Sequence, residues 1–141
     1  MFSNSSKYAI KALIHLVSFS SEDNKITVKH LAEATAIPQP YLSKILLQLT
    51  AKDFLSSTKG PHGGYFILKA QQENSLLDII VEMEGKDNLR LCVLSFENCN
   101  EQNPCPIHNL VAERKDGLRY SLKNIKLKNL SDVTSLIKMD K

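Results

Sequence analysis

Pro38 constrains this chain more than any other residue. It has no backbone N–H and forces Ile37 out of helical angles, so the apolar periodicity on its two sides cannot belong to one helix. Upstream, Thr27 caps a short helix whose Val28, Leu31 and Ala32 share a face. Downstream, a second helix starts near Gln39, with Pro40 tolerated in its first turn. Leu42, Ile45, Leu46 and Leu49 form the buried stripe of that helix, at spacings of three and four. Two short helices about a tight break are the helix-turn-helix pattern.

Tyr41, Lys44 and Gln48 fall opposite that stripe, with Gln39 and Ser43 close by. A phenol, a cation, amides and a hydroxyl so placed can reach phosphates and base edges from a major groove. An ordinary solvated helix face would carry similar residues, and the next stretch separates the two readings. Two strand-like runs, FLSS at 54–57 and YFIL at 65–68, flank Thr58-Lys59-Gly60-Pro61-His62-Gly63-Gly64. The glycines let the backbone approach a phosphate, and Lys59 supplies charge. A hairpin directly after a helix-turn-helix is a wing. The expected fold is therefore mainly α with a small β-hairpin wing.

Elsewhere, Ser5 or Ser6 caps a first helix with Tyr8, Ala9, Ala12, Leu13, Leu16 and Val17 along one stripe. Ile26 is expected to pair with the wing. Ser75 opens a helix over residues 76–84, stopped by Gly85 and apolar enough to pack on both sides. Residues 86–103 lose periodicity and form a loop long enough to need a function. Pro106 then opens the longest helix, with Ile107, Leu110, Val111, Leu118, Leu122 and Ile125 on one narrow face. Such a stripe suits dimerisation, or packing on the chain's own core. Ser131 is expected to cap a short turn in the tail. Three segments result: residues 1–85 for nucleic acid, 86–105 as a cysteine-containing loop, and 106–141 as dimerisation helix and tail.

Charge agrees with a polyanionic partner for the first segment. Residues 1–70 hold eight Lys and Arg against four Asp and Glu, whereas residues 71–141 hold ten against eleven. No apolar run approaches the ~20 residues that span a bilayer, and no signal peptide is present, so a cytoplasmic protein is expected. No catalytic constellation accompanies these features, which argues against an enzyme.

All three cysteines lie between Cys92 and Cys105, an odd number that argues against a disulfide framework. Cys92, Cys99, Cys105 and His108 are candidate ligands, with six residues between the first two cysteines and five between the next. Thiolates are soft donors suited to iron–sulfur clusters or zinc. Cys105 and His108 stand i, i+3 at a helix start, where the dipole favours thiolate. Spacing leaves open a cluster, a zinc site lacking the usual close Cys-x-x-Cys pairs, and redox-active thiols.

The runs PYLSKILLQL and KGPHGGYFIL, with SKYAIKAL near the start, resemble the IscR/NsrR-type bacterial transcription regulators. The resemblance extends over nearly the whole chain. It implies a winged-helix homodimer on a double-stranded DNA operator, with a recognition helix over residues 39–53 and a wing containing Lys59, Gly60, Gly63 and Gly64. With Thr27, Gln39, Pro40, Tyr41, Ser43, Lys44, Gln48 and His62 these make up the candidate DNA-binding set. Some members read the operator with a glutamate where this chain has Ser43, so the operator sequence does not carry over. Members with a cluster hold it by three cysteines in this loop at spacings of about five and five, so the extra residue before Cys99 is a departure that a loop absorbs cheaply. His108 matches the fourth ligand of the branch that controls cluster assembly, which implies 2Fe-2S. Four-iron members borrow an aspartate from the partner's first helix, where this chain reads Ser6-Lys7-Tyr8. The implied function is operator binding controlled by redox, nitric oxide or iron–sulfur status. The alternative is a regulator of the same fold sensing through bare thiols or a small molecule.

Overall fold

The computed structural model describes residues 2–130. Five helices and one hairpin follow in order: α1 (Asn4–Phe19), α2 (Val28–Thr35), α3 (Gln39–Ala51), β1 (Ser56–Thr58), β2 (Gly64–Phe66), α4 (Leu76–Glu84) and α5 (His108–Asn124). Single 3-10 turns at Gln71–Glu73 and Asn88–Arg90 flank α4. The turn expected at Ser131 lies outside the described residues.

Capping sets most helix boundaries. Thr27 accepts the His30 N–H at 3.2 Å and opens α2. The break after α2 comes one residue earlier than proline alone requires: Ala36 turns left-handed at φ 58°. Ile37 is buried and Pro38 stands at the N-cap of α3, with Pro40 in its first turn. Ser75 and Asp78 cap α4 reciprocally, and Gly85 ends it at φ 76°. The cap of α1 is Ser3 rather than Ser5 or Ser6. Ser6 is completely buried, and its hydroxyl donates to Glu84 on α4 at 2.9 Å.

Leu13, Leu16, Leu31, Leu42, Leu46 and Leu49 are fully buried where α1, α2 and α3 meet. From α4, Leu77, Ile79 and Ile80 are buried, while Leu76 and Met83 pack at the core's edge, so this helix is covered on more than one side.

The hairpin pairs Ser56 with Phe66, Ser57 with Tyr65 and Thr58 with Gly64. Its strands are shorter than the apolar runs and shifted toward the tip. Asp53 takes φ 62° straight after α3, and Leu55 goes into the core before pairing begins. At the far end the Ile67 N–H goes to the Ser20 hydroxyl and that of Leu68 to the Gln71 side chain, which removes both from the ladder. Ile26 adds a bridge on the other edge of β2, exchanging both backbone hydrogen bonds with Tyr65 at 2.9 and 2.7 Å.

No residue of α5 is buried; Leu110 and Tyr120 stand 65% and 70% exposed. Arg119 ties the helix to Asp87 at 2.7 Å, and the Lys115 ammonium donates to the Leu91 carbonyl. After α5 the chain turns back: Leu127 is 0% exposed, its N–H bonds to the Asn74 carbonyl, and the Leu76 N–H bonds to that of Ile125. Lys126 and Lys128 meanwhile pair with Glu73 on the solvent side.

Candidate functional site

Two candidate sites stand out. The first is the outer surface of α2, α3 and the hairpin. Thr27, Gln39, Pro40, Tyr41, Ser43, Lys44 and Gln48 are exposed there, as are Lys59, Gly60 and His62 at the hairpin tip. Gly63 and Gly64 are half-buried, for a reason internal to the fold. A Cβ on Gly63 would stand 2.2 Å from the Thr58 carbonyl oxygen, and one on Gly64 would stand 2.8 Å from that of Ile26. Both glycines are therefore needed to close the hairpin on itself and on Ile26, whatever lies beyond.

The helical face is rotated from the one expected. Directly opposite the buried stripe stand Pro40, Lys44 and Leu47, the last 69% exposed. Tyr41 and Gln48 lie on the flank toward α1 and α4, where with Tyr8 and Met83 they border a cleft of about 380 Å³. The Gln48 amide donates to the Glu82 carbonyl on α4 at 3.2 Å. Leu47 was missed from sequence because a leucine beside a leucine-rich stripe reads as core. The signal was its place three residues after Lys44 and four after Ser43.

The second site is the loop between α4 and α5. The sulfurs of Cys92, Cys99 and Cys105 lie within 4.8 Å of one another. Cys92 and Cys105 are 3.6 Å apart, and Cys99 stands 3.4 Å from His108 Nδ1. The Cys105 N–H donates to the Cys99 sulfur at 3.3 Å. Two turns shape the run between the first two cysteines: Ser95 N–H to the Cys92 carbonyl, with Ser95 at φ 64°, and Cys99 N–H to that of Phe96. Past Cys99, the Asn100 side chain accepts the N–H groups of Gln102 and Asn103 at 2.8 and 2.9 Å. The three sulfurs thus come together on a loop held by its own turns, and His108, the first residue of α5, approaches Cys99. They open onto a cavity of about 250 Å³ bordered by Leu89, Val111 and Lys115.

The thiols differ electrostatically. Desolvation pushes Cys92 up, but the N–H groups of Phe96 and Leu94 and the neighbouring thiols Cys105 and Cys99 outweigh it and bring it down to about 7. For Cys99, the Cys105 N–H lowers the value; desolvation and the adjoining Cys105 and Cys92 thiols outweigh that and leave it raised. In reduced, metal-free protein, iodoacetamide is therefore expected to alkylate Cys92 first, at a rate half-maximal near pH 7. Cys99 follows only at higher pH. Peptide mapping from about pH 6 to about pH 9 checks the order; simultaneous labelling of the two would contradict it.

Three soft sulfur donors and one imidazole converging in this way fit an iron–sulfur cluster or zinc. The family model for Rrf2, described as "Iron-dependent Transcriptional regulator", matches residues 2–133. The chain belongs to the Rrf2 family. Its relatives include a protein of Aquifex aeolicus (strain VF5) provisionally designated an HTH-type transcriptional regulator. The two are 29% identical over 135 residues, 94% of this chain and 92% of that protein. The HTH-type transcriptional regulator IscR of Photorhabdus laumondii is 25% identical over 124 residues, 88% of this chain and 74% of its own. Among solved structures, the global cysteine regulator CymR of B. subtilis superposes with a TM-score of 0.76 at 20% identity, over 94% of this chain and 96% of the other. At that identity the superposition shows the fold alone. An oxidised form of Staphylococcus aureus CymR superposes at 0.71 with 26% identity, over 94% and 96%. Rrf2 proteins are transcription regulators, so this chain is a transcription regulator and not an enzyme.

Proposed function

We propose that this Rrf2 protein is a homodimeric regulator whose operator affinity is set by an iron–sulfur cluster, 2Fe-2S in preference to 4Fe-4S. The convergence of three cysteine sulfurs and His108 at the head of α5 carries the reading. Cys92, Cys99 and Cys105 would hold the cluster, with His108 as fourth ligand. Such a group supplies iron that exchanges electrons and takes up nitric oxide.

The chain's own residues do the rest. Residues 1–85 form the reading head, 86–105 the sensing loop and 106–141 the dimerisation segment. Leu91, Val93, Leu94 and Phe96 of the loop, with Leu110 and Tyr120 of α5, offer exposed apolar surface to a second copy. Two copies would set two α3 helices in successive major grooves, with half-sites about one helical turn, or a multiple of it, apart. Lys44, Lys59 and His62 would face phosphates, Gln39 and Ser43 base edges, and Leu47 a thymine methyl. Ordering of the loop changes affinity only insofar as the two dimer arrangements bind operator unequally. No described helix is long and apolar enough to cross a membrane, in keeping with a site of action on cytoplasmic DNA.

Duplex selection on anaerobic and air-exposed protein, with iron, sulfide and zinc counted in each, tests this reading. A duplex preference that differs between brown and bleached protein is expected. Zinc at full occupancy without sulfide would replace the cluster by a structural metal. Lys44→Ala is expected to weaken operator binding about threefold to tenfold and to flatten the salt dependence by about one counterion. An unchanged salt slope would remove Lys44 from the interface.

The 3.6 Å approach of Cys92 and Cys105 favours a second reading, direct thiol sensing. The two thiols would form a disulfide, giving up two protons and two electrons to a peroxide that leaves as water. Loss of two free thiols per chain, with iron absent from anaerobic protein and operator affinity altered, would select it.

A further inference from the structure

We propose that Gln48 is a positioning residue rather than a base reader: its amide fastens the recognition helix to the last turn of α4 and, through that turn, to the cysteine loop. This rests on the cluster-controlled reading above.

The last carbonyls of a helix have no partner within it. In α4 the Gly85 N–H takes the Val81 carbonyl at 2.9 Å, and the next carbonyl, Glu82, takes the Gln48 amide at 3.2 Å. The same turn holds the start of α1: Glu84 accepts the Ser3 N–H at 2.8 Å and the Ser6 hydroxyl at 2.9 Å. Beyond Gly85 the chain is fastened again before it reaches the first cysteine. Asp87 accepts the Leu89 N–H and pairs with Arg119, Leu89 is buried, and the Leu91 carbonyl receives Lys115. A shift at Cys92 therefore reaches Glu84 through anchored chain.

On the other side, α3 and α4 face each other across the cleft that Gln48 and Met83 both border. The Gln48 hydrogen bond crosses where packing is open, and it holds one of the two amide N–H donors on α4, turned away from the face that Lys44 and Leu47 present. Movement of the α4 turn is thus passed to the second half of α3, which changes how Lys44 and Leu47 meet the groove without Gln48 touching a base.

The probe is the duplex recovered by selection on the unaltered protein. Affinity is measured anaerobically for protein reconstituted with ferrous iron and sulfide and for protein stripped by chelator. The unaltered protein is expected to differ at least about fivefold between the two forms. Gln48→Leu removes the donor and keeps the bulk; it is expected to shrink that ratio by about twofold to tenfold while base preferences stay the same. Gln48→Lys retains a donor and is expected to retain the ratio, since its added charge acts on both forms alike. A changed base preference in Gln48→Leu with the ratio intact overturns the proposal, and so does an unaltered protein that binds the duplex equally in both forms. Hydrogen exchange over residues 39–51 supplies a readout that does not need DNA. Protection there is expected to depend on metal in the unaltered protein and not in Gln48→Leu; metal dependence in both overturns the proposal. Failure of any duplex to bind would instead count against the regulator reading itself.

Discussion

Cys99→Ala is expected to yield protein that stays colourless after anaerobic incubation with ferrous iron and sulfide. Cys99 links the two halves of the site: its sulfur receives the Cys105 N–H at 3.3 Å and stands 3.4 Å from His108. Without it, Cys92 and Cys105 remain as a pair, and a ligand shell missing one of three thiolates does not retain a cluster. The visible absorption and the iron and sulfide content of the unaltered and substituted proteins, reconstituted side by side, provide the check. Full iron and sulfide in Cys99→Ala would show that the ligands lie elsewhere. His108→Ala is the milder companion, in which partial retention of iron is expected because the three thiolates are still present.

Leu127→Ala should be among the most destabilising single changes outside the three central helices. Leu127 is fully buried although it follows α5 and sits between two exposed lysines. Truncating a buried leucine to alanine costs about 2–5 kcal/mol, and in a chain of this size each kcal/mol lowers Tm by roughly 2–8 °C. Thermal unfolding of the metal-free protein measures it directly. A cost below about 1 kcal/mol would mean that the returning segment contributes little to the core. Leu110→Ala, at a site 65% exposed, is the contrast: it should hardly move the unfolding of a single chain and should act only on association.

What could be read from residues alone divides along physical lines. The helix-turn-helix was legible because its signals are local: a capping threonine, a proline after eight helical residues, and a stripe at helical spacing. Ile26 on the wing and the gathering of Cys92, Cys99 and Cys105 could also be read from the sequence. Leu127 could not. Ile125 and Leu127 alternate with Lys126 and Lys128, a two-residue period too short to stand out beside a long helix, and the chain is extended only to Lys126 before it enters a 3-10 turn at Leu127. Its partners, Asn74 and Glu73, lie some fifty residues upstream. The Gln48 contact is long-range in the same way: a helical wheel gives the residue's direction, but only the tertiary packing brings the Glu82 carbonyl of α4 within 3.2 Å of its amide. The cap of α1 moved to Ser3 because burial of Ser6 against Glu84 is likewise a long-range event.

The bridge between Ile26 and Tyr65 has a mechanical consequence. Because β2 is bonded to the residue that precedes the α2 cap, the hairpin cannot swing as a free arm; it travels with the helices as one body. If α3 and Lys59 both meet DNA as proposed, the span between them is held by this bridge, and a duplex would adjust its own groove width to meet both ends at once. Base pairs that neither end touches would then influence affinity through the ease with which they narrow or bend.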